Sequence, residues 1–305
     1  MEQLVQGQQQ ERRSVIAPHK NIVQRAARNI PGSSFCWVIN LYKGVHYFTQ
    51  ISMQAHPMEI HMIRQIEELS LNAWAANQTV ALDGWILRFT NGYTRRANCV
   101  IPLYPGNQPL TEKISSCEDL YTSKNLPVIF KMTSASQPAD LDGELANRGY
   151  IFDAETSVQA LSLASNNFQF SPEVDLRDRP DETWFENLYR MAAITEKNRP
   201  TLRKIFSNII PTQCYASIRS GDQIIACGLG VMQSGYIGLF DIITDPHYRN
   251  QGCARKLIQS LLAWGQSQQT GFAYLQVMIN NLPALGLYQS LGFIEKYRYW
   301  YRVKA

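Results

Sequence analysis

The junction around residue 250 constrains the fold of this 305-residue chain more than any other stretch. Tyr236-Ile237-Gly238-Leu239-Phe240-Asp241-Ile242-Ile243-Thr244 is an apolar run of strand length, and Asp245-Pro246 stops it. Arg249-Asn250-Gln251-Gly252-Cys253-Ala254 follows, and Arg255-Lys256-Leu257-Ile258-Gln259-Ser260-Leu261-Leu262 then opens a helix. A strand that feeds a tight loop and then a helix forms an anion cradle. The first helical N–H groups lack an intrahelical acceptor, and the helix dipole is positive at that end. Gly252, Cys253 and Ala254 are small enough for phosphate oxygens to reach the backbone. A plain strand–helix turn uses the same residue types, so the loop alone leaves both readings open. It is neither a Walker loop nor a dinucleotide fingerprint, because no Gly-Lys-Ser/Thr follows and no Gly-x-Gly-x-x-Gly run is present.

Around this junction the chain reads as two similar units. In the first, apolar spacing predicts a helix over 59–76, a strand over 85–89 after the Asp83-Gly84 turn, and a return strand over 94–103 after Asn91-Gly92. A helix over 110–124, a strand over 127–132, a helix over 139–148 and a strand over 156–163 complete it. Residues 165–180 are polar and proline-bearing and read as a linker. The second unit, 181–305, reads as helices over 181–193 and 199–208, then strands over 214–219, 223–232 and 235–243. A helix over 252–268, a strand over 272–278, a helix over 283–290 and a strand over 296–303 close the chain.

Residues 1–57 differ from the rest: Gln-rich, then basic, without a clean period. They are either an atypical extension, disordered or used for docking, or sequence ahead of the natural start at Met53, Met58 or Met62. Regular patterning begins only at Met58, which favours the second reading. The net charge of +4 lies within this segment, so the main body has no basic excess to hold a nucleic acid. No apolar run is long enough for a membrane-spanning helix, and the N-terminus lacks the pattern of a secretory signal. Cys36, Cys99, Cys117, Cys214, Cys227 and Cys253 form no CxxC pair, and no His stands at zinc-ligand spacing. Reduced thiols in the cytoplasm, without a disulfide framework or a metal, are the expectation.

Two blocks together resemble the GNAT superfamily of N-acetyltransferases. Arg249-x-x-Gly252-x-Ala254 is similar to its Q/R-x-x-G-x-G/A signature, preceded by Thr244-x-Pro246 where the family usually has Val-x-Pro. Downstream, Asn281-x-x-Ala284-x-x-Leu287-Tyr288-x-x-Leu291-Gly292-Phe293 looks like the family's N-x-x-A-x-x-L-Y-x-x-L-G-F block. In the first unit, Asp83-Gly84-Trp85, Thr94-Arg95-Arg96-Ala97-Asn98 and Leu141-x-x-x-Leu145-x-x-Arg148-Gly149-Tyr150 resemble the N-terminal half of tandem-GNAT acetyltransferases. The resemblance implies an α/β fold with a mixed sheet in two GNAT-like domains. The first, 58–164, is expected to be a degenerate copy, because Pro105-Gly106-Asn107-Gln108-Pro109 lacks the small-residue run and carries prolines, which cannot donate an N–H. The second is complete, with a splayed central sheet.

What the resemblance implies for function is direct transfer of an acetyl group from acetyl-CoA to the primary amine of a small molecule or peptide, by a monomer or homodimer. The backbone of Ile242, Ile243 and Thr244 is expected to face the pantetheine arm and the thioester carbonyl. The amides of Gln251, Gly252, Cys253, Ala254 and Arg255 are expected to hold the pyrophosphate, with Arg249 or Arg255 adding charge. Tyr288 is the candidate general acid for the departing thiolate; its alternative is a packed helix-face aromatic. Asn281 either contacts the coenzyme arm or caps a turn. Asp241, one residue before the expected bulge, is the candidate general base or else a structural hydrogen-bonding group. Glu186, Glu196 and His247 are weaker candidates, and Gln276 stands where some relatives carry Glu. A covalent route through Cys253 is chemically conceivable at a helix N-terminus, but direct transfer needs no nucleophile. The alternative to an enzyme is a silent acyl-CoA-binding or regulatory module on the same fold.

Overall fold

The computed structural model describes residues 57–304 and, upstream of them, the backbone of three short strands. These are β1 (Ala27–Arg28), β2 (Phe35–Tyr42) and β3 (Val45–Ser52), an antiparallel sheet in which Phe35 pairs with Ser52 and Tyr42 with Val45. They belong to a unit of their own within residues 1–54. The reading of residues 1–57 as an extension or as sequence ahead of the natural start falls largely outside the described residues.

The remaining chain begins with α1 (Pro57–Ala73), which buries Ile63, Ile66, Leu69 and Ala73 at helical spacing. Next come β4 (Gln78–Leu82), β5 (Trp85–Phe89), β6 (Val100–Ile101), α2 (Leu110–Thr122), β7 (Val128–Thr133), α3 (Leu141–Asn147) and β8 (Ile151–Ser162). The second half holds β9 (Val174–Arg177), α4 (Glu182–Met191), α5 (Arg199–Ser207), β10 (Thr212–Ser220), β11 (Gln223–Gln233) and β12 (Tyr236–Thr244). It ends with α6 (Cys253–Ser267), β13 (Phe272–Met278), α7 (Leu282–Ser290) and β14 (Ile294–Lys304).

The strands from β4 onward form one mixed sheet in the order β4-β5-β6-β7-β14-β8-β13-β12-β11-β10-β9. Two pairs are parallel, β6 with β7 and β12 with β13, and each is joined by a crossover helix, α2 or α6. The last strand inserts into the first half, where Tyr299 pairs with Thr133 of β7 and Ile294 with Ala160 of β8. On its other edge β8 pairs with β13. The two halves therefore share one sheet, and the chain's end is locked inside it by ladders on both sides.

Three local expectations change. A strand absent from the sequence reading, β4, precedes the Asp83-Gly84 turn; both turn residues have positive φ, 42° and 85°, as a tight hairpin requires. The return strand expected over 94–103 shrinks to the two residues of β6. Asn98 is the reason: its side-chain Oδ1 accepts from the backbone amides of Thr90 (2.7 Å) and Gly92 (3.0 Å), and its Nδ2 donates to the Thr94 carbonyl (2.8 Å). Residues 90–98 are thereby held as a loop with a short 3-10 turn over Arg95–Ala97, so Asn91-Gly92 is not a two-residue hairpin turn. The stretch 165–180 carries β9, the outermost strand, which pairs Val174 with Ile218 and Arg177 with Tyr215.

Candidate active site

The two central strands of the second half part company midway. β12 pairs with β13 from Tyr236–Phe272 to Leu239–Leu275 and no further, while β13 stays paired with β8 as far as Met278. A bulge turns β12 away. Phe240 pairs with Leu229 and Ile243 with Cys227, so Asp241 and Ile242 together oppose Gly228. Asp241 itself has φ 48°, so the bulge includes this residue instead of starting after it. A Cβ at position 228 would stand 2.5 Å from the Ile242 side chain, which explains glycine there.

The end of β12 is pinned by the buried Asp245. Its amide donates to the Ile225 carbonyl (2.8 Å), and its carboxylate accepts from the His247 amide (3.0 Å) and from the Arg190 guanidinium of α4. The Arg190 hydrogen bond, with the His247 amide, holds the Asp245 carboxyl below the usual carboxylate range. Asn250 and Gly252 then take positive φ, 61° and 80°, and α6 starts. Among the described residues, no protein acceptor serves the amides of Gln251, Gly252, Cys253, Ala254 and Arg255; Lys256 is the first to donate, to the Gly252 carbonyl at 3.0 Å. Nothing lies within 4 Å of a Cβ built on Gly252. Arg249 is exposed without an ion-pair partner among the described residues, and Arg255 donates to Ser290 Oγ at 2.6 Å. The Cys253 side chain is turned into the apolar core with Leu257 and Leu261.

Arg255 and Ser290 tie the start of α6 to the end of α7. Tyr288 sits two residues earlier on α7, half-buried, with its ring edge-on to Phe293 at 6.0 Å. Burial pushes its phenol up to about 12, so it keeps its proton at neutral pH. Asn281 caps α7, its side chain accepting from the Ala284 amide at 3.3 Å.

Beside the bulge lies a cavity of about 250 Å³. Asp241 lines it together with Leu188, Ala192, Ile194 and Leu202 of the second half, and Trp74, Tyr93, Thr94 and Arg96 of the first. One carboxylate oxygen of Asp241 is buried without a hydrogen-bond partner among the described residues. Burial raises the Asp241 carboxyl above the usual range, and Arg96 opposes that shift. Tyr93 is pushed up to about 12 by burial and by the charge of Asp241. The Arg96 guanidinium stacks 4.3 Å from the Trp74 ring.

A second, tighter cavity shares Trp74 and Arg96 and reaches Phe240 and Gln276. Gln276 is engaged on both sides, donating to Ser70 Oγ (2.9 Å) and accepting from the Tyr299 hydroxyl (3.3 Å). Glu67 of α1 lines this cavity too, but it is paired with Lys131 at 2.5 Å and accepts from the Tyr297 hydroxyl at 2.8 Å. Of the weaker base candidates, Glu186 faces Arg199 at 3.4 Å, and Glu196 and His247 are exposed; none of the three lines either cavity. Sequence reasoning missed Trp74, Tyr93 and Arg96, which come from the other half of the chain. Arg96 lies in the Thr94–Asn98 run, but nothing local to that run shows what it faces. Among the described residues, no group of three His, Cys, Asp or Glu is placed to hold a metal, and no helix is long and apolar enough to cross a membrane.

Known proteins resemble this chain in sequence and in fold. The family described as "Probable histone acetyltransferase Rv0428c C-terminal" matches residues 60–302. A relative from Bacillus subtilis (strain 168), "Uncharacterized N-acetyltransferase YobR", is 27% identical over 248 residues, 79% of this chain and 98% of that protein. The solved structure of a GCN5-related N-acetyltransferase from Kribbella flavida superimposes with a TM-score of 0.57 at 13% identity, covering 79% of this chain and 95% of that one. A tandem GNAT protein from the clavulanic acid biosynthesis pathway superimposes with a TM-score of 0.52 at 10% identity, covering 64% and 69%.

Proposed function

The chain belongs to the family of the Rv0428c C-terminal domain, GNAT acetyltransferases, and on that premise we propose that it moves an acetyl group from acetyl-CoA directly to the primary amine of a small molecule or peptide. The observation that carries this reading is the parting of β12 from β13 beside five unserved amides. The donor set fits a coenzyme diphosphate: backbone N–H groups at a helix start, an open face at Gly252, and the exposed guanidinium of Arg249, which has no ion-pair partner among the described residues. Ile242, Ile243 and Thr244 offer their main chain to the pantetheine arm, and Arg255 adds charge at the start of α6. Asn281, exposed at the start of α7, touches the coenzyme arm in this reading.

The coenzyme's thioester supplies an activated acetyl group. Asp241 takes a proton from the acceptor ammonium, which frees the amine lone pair. A C–N bond forms and the C–S bond breaks; Tyr288 gives its proton to the leaving sulfur, and the second proton lost by the acceptor nitrogen restores the Tyr288 phenol. Asp241 suits its part because its carboxylate lines the cavity beside the bulge, with one oxygen buried and without a hydrogen-bond partner among the described residues. In this reading residues 181–305 are catalytic and residues 58–164 bind no coenzyme but complete the acceptor site. The balanced charge outside residues 1–57 and the five free cysteines among the described residues support a cytoplasmic protein without a nucleic-acid partner; it acts as a monomer or homodimer in this reading.

Acetyl-CoA titration followed by melting temperature, together with coenzyme release across a panel of amines, tests the proposal. A melting shift with release is expected. A shift without release from any amine indicates the silent acyl-CoA-binding module, and no shift removes the coenzyme site. Asp241→Asn is expected to lower kcat/KM and to erase the fall in rate toward acid pH, which arises as the Asp241 carboxyl takes up a proton.

A further inference from the structure

The cavity beside the bulge has two chemically opposite ends. One is Asp241, whose buried oxygen finds no donor among the described residues. The other is Arg96. Its guanidinium stacks on Trp74 but makes no ion pair with any described carboxylate, Asp241 included, although both line the same cavity. Trp74 adds an indole N–H that is also buried without an acceptor. A carboxylate lacking donors and a guanidinium lacking acceptors, held apart within one small space, call for a ligand that is itself dipolar. Leaving either group unmatched beside a bound ligand has a desolvation cost.

The remaining wall is apolar, made by Leu188, Ala192, Ile194 and Leu202. Its volume of about 250 Å³ lies near the lower end of small-molecule sites, at about 300 Å³. Resting on the acetyl-transfer reading above, we infer that the acceptor is a small aliphatic amino acid, its ammonium at Asp241 and its carboxylate held by Arg96. A planar guanidinium suits a carboxylate because its N–H groups form a matching fork. Arg96 is then a specificity-determining residue supplied to the catalytic half by the degenerate half. This gives the first half a chemical task beyond packing.

The test uses the full chain with acetyl-CoA and matched acceptors: leucine, its β-amino and γ-amino counterparts, leucinamide, and the aminophosphonate analogue of leucine. Initial rates are followed by release of the free coenzyme thiol. The carboxylate is expected to be used with a KM at least about tenfold below that of the amide, the scale of one charge-assisted hydrogen bond. This preference cannot come from amine basicity, since the amide carries the less basic and more readily deprotonated amine. Arg96→Gln is expected to raise KM for the carboxylate by about tenfold and to bring the two acceptors close to parity. Arg96→Lys is expected to recover part of the preference. The spacing series reads which separation of amine and carboxylate spans the cavity.

Equal KM for leucine and leucinamide in the wild-type protein overturns the inference while leaving amine acetylation standing, and this comparison needs no variant. A preference for the aminophosphonate over every carboxylate overturns it too. Acetyl-CoA binding without release from any of these acceptors, while other amines are acetylated, rejects the amino-acid class alone. Release from no amine at all rejects the acetyl-transfer reading beneath it.

Discussion

The two parallel crossovers of the sheet, β6–α2–β7 and β12–α6–β13, present the same backbone problem and answer it in opposite ways. Each ends a strand at a loop from which a helix starts, so each leaves amide groups without main-chain acceptors. In the first crossover the protein provides its own anion. The Asp83 carboxylate accepts from the amides of Asn107 and Gln108, both at 2.9 Å, and pairs with Lys113 of α2 at 3.0 Å. Those contacts, the two amides foremost, lower its carboxyl to about 2. A Cβ at Gly106 would collide with that carboxylate, 2.0 Å from its oxygen. In the second crossover no carboxylate of the described residues accepts from the loop, and among those residues the amides from Gln251 to Arg255 find no acceptor. The comparison teaches that the two halves differ less in fold than in whether a cradle is filled from within. The helix that follows β13 differs as well: α7 carries Tyr288, whereas α3, in the corresponding place, has no tyrosine.

Changes that push the second crossover toward the first should have the largest effects. Tyr288→Phe makes α7 resemble α3 in lacking a phenol; turnover is expected to fall roughly 100- to 10,000-fold, the range of a lost general acid, with acetyl-CoA affinity nearly unchanged. Equal turnover in steady-state assays removes Tyr288 from the chemistry. Gly252→Glu places an internal carboxylate at the second cradle, as Asp83 does at the first, and forces a side chain into left-handed backbone. Acetyl-CoA affinity is expected to drop about 100-fold, near 2.7 kcal/mol, by calorimetry. Undiminished binding would mean that the coenzyme sits elsewhere, the first crossover included.

Smaller effects sharpen the contrast. Gly228→Ala crowds Ile242 at the bulge and is expected to cost about 1–3 kcal/mol in urea unfolding, with a loss of acetyl-CoA affinity that tracks the lost strand separation. Full affinity in that variant would detach the opening from the bulge. The smallest effect concerns acid. Because Asp83 has a depressed folded-state pKa, its stabilising contribution is fully present above about pH 4 and is lost as pH falls through about 2. Unfolding of wild type and Asp83→Asn should therefore differ at neutral pH and converge toward pH 2. A gap that persists unchanged in acid argues against the carboxylate as the plug of the first cradle.

Much of this was legible locally. The β12–α6 junction, the α7 block and most helices follow from patterns within a dozen residues, where periodicity and caps act. The parting of the strands was expected from the family resemblance, but its location depended on Gly228, a residue on the neighbouring strand. β4 was missed because its five residues carry no clear apolar alternation and lie mostly exposed at the sheet's edge. β9 was hidden in a polar, proline-bearing stretch and exists only because β10 offers it an edge. The prolines of the first half led to the expectation of a degenerate copy, whereas the carboxylate that accepts from that loop's amides, Asp83, stands more than twenty residues upstream.

The amino-acid order alone pointed to what each segment is able to become: a strand–loop–helix with small residues at its bend, a helix bearing a tyrosine, and a first unit patterned like the second. Only the tertiary structure decided which charges share a cavity. Residues 74, 96 and 241 meet because β14 and β8 weave two halves into one sheet. Contacts across such separations leave no periodic trace, since their energy depends on distance in space, whereas propensity and pattern act only along the chain.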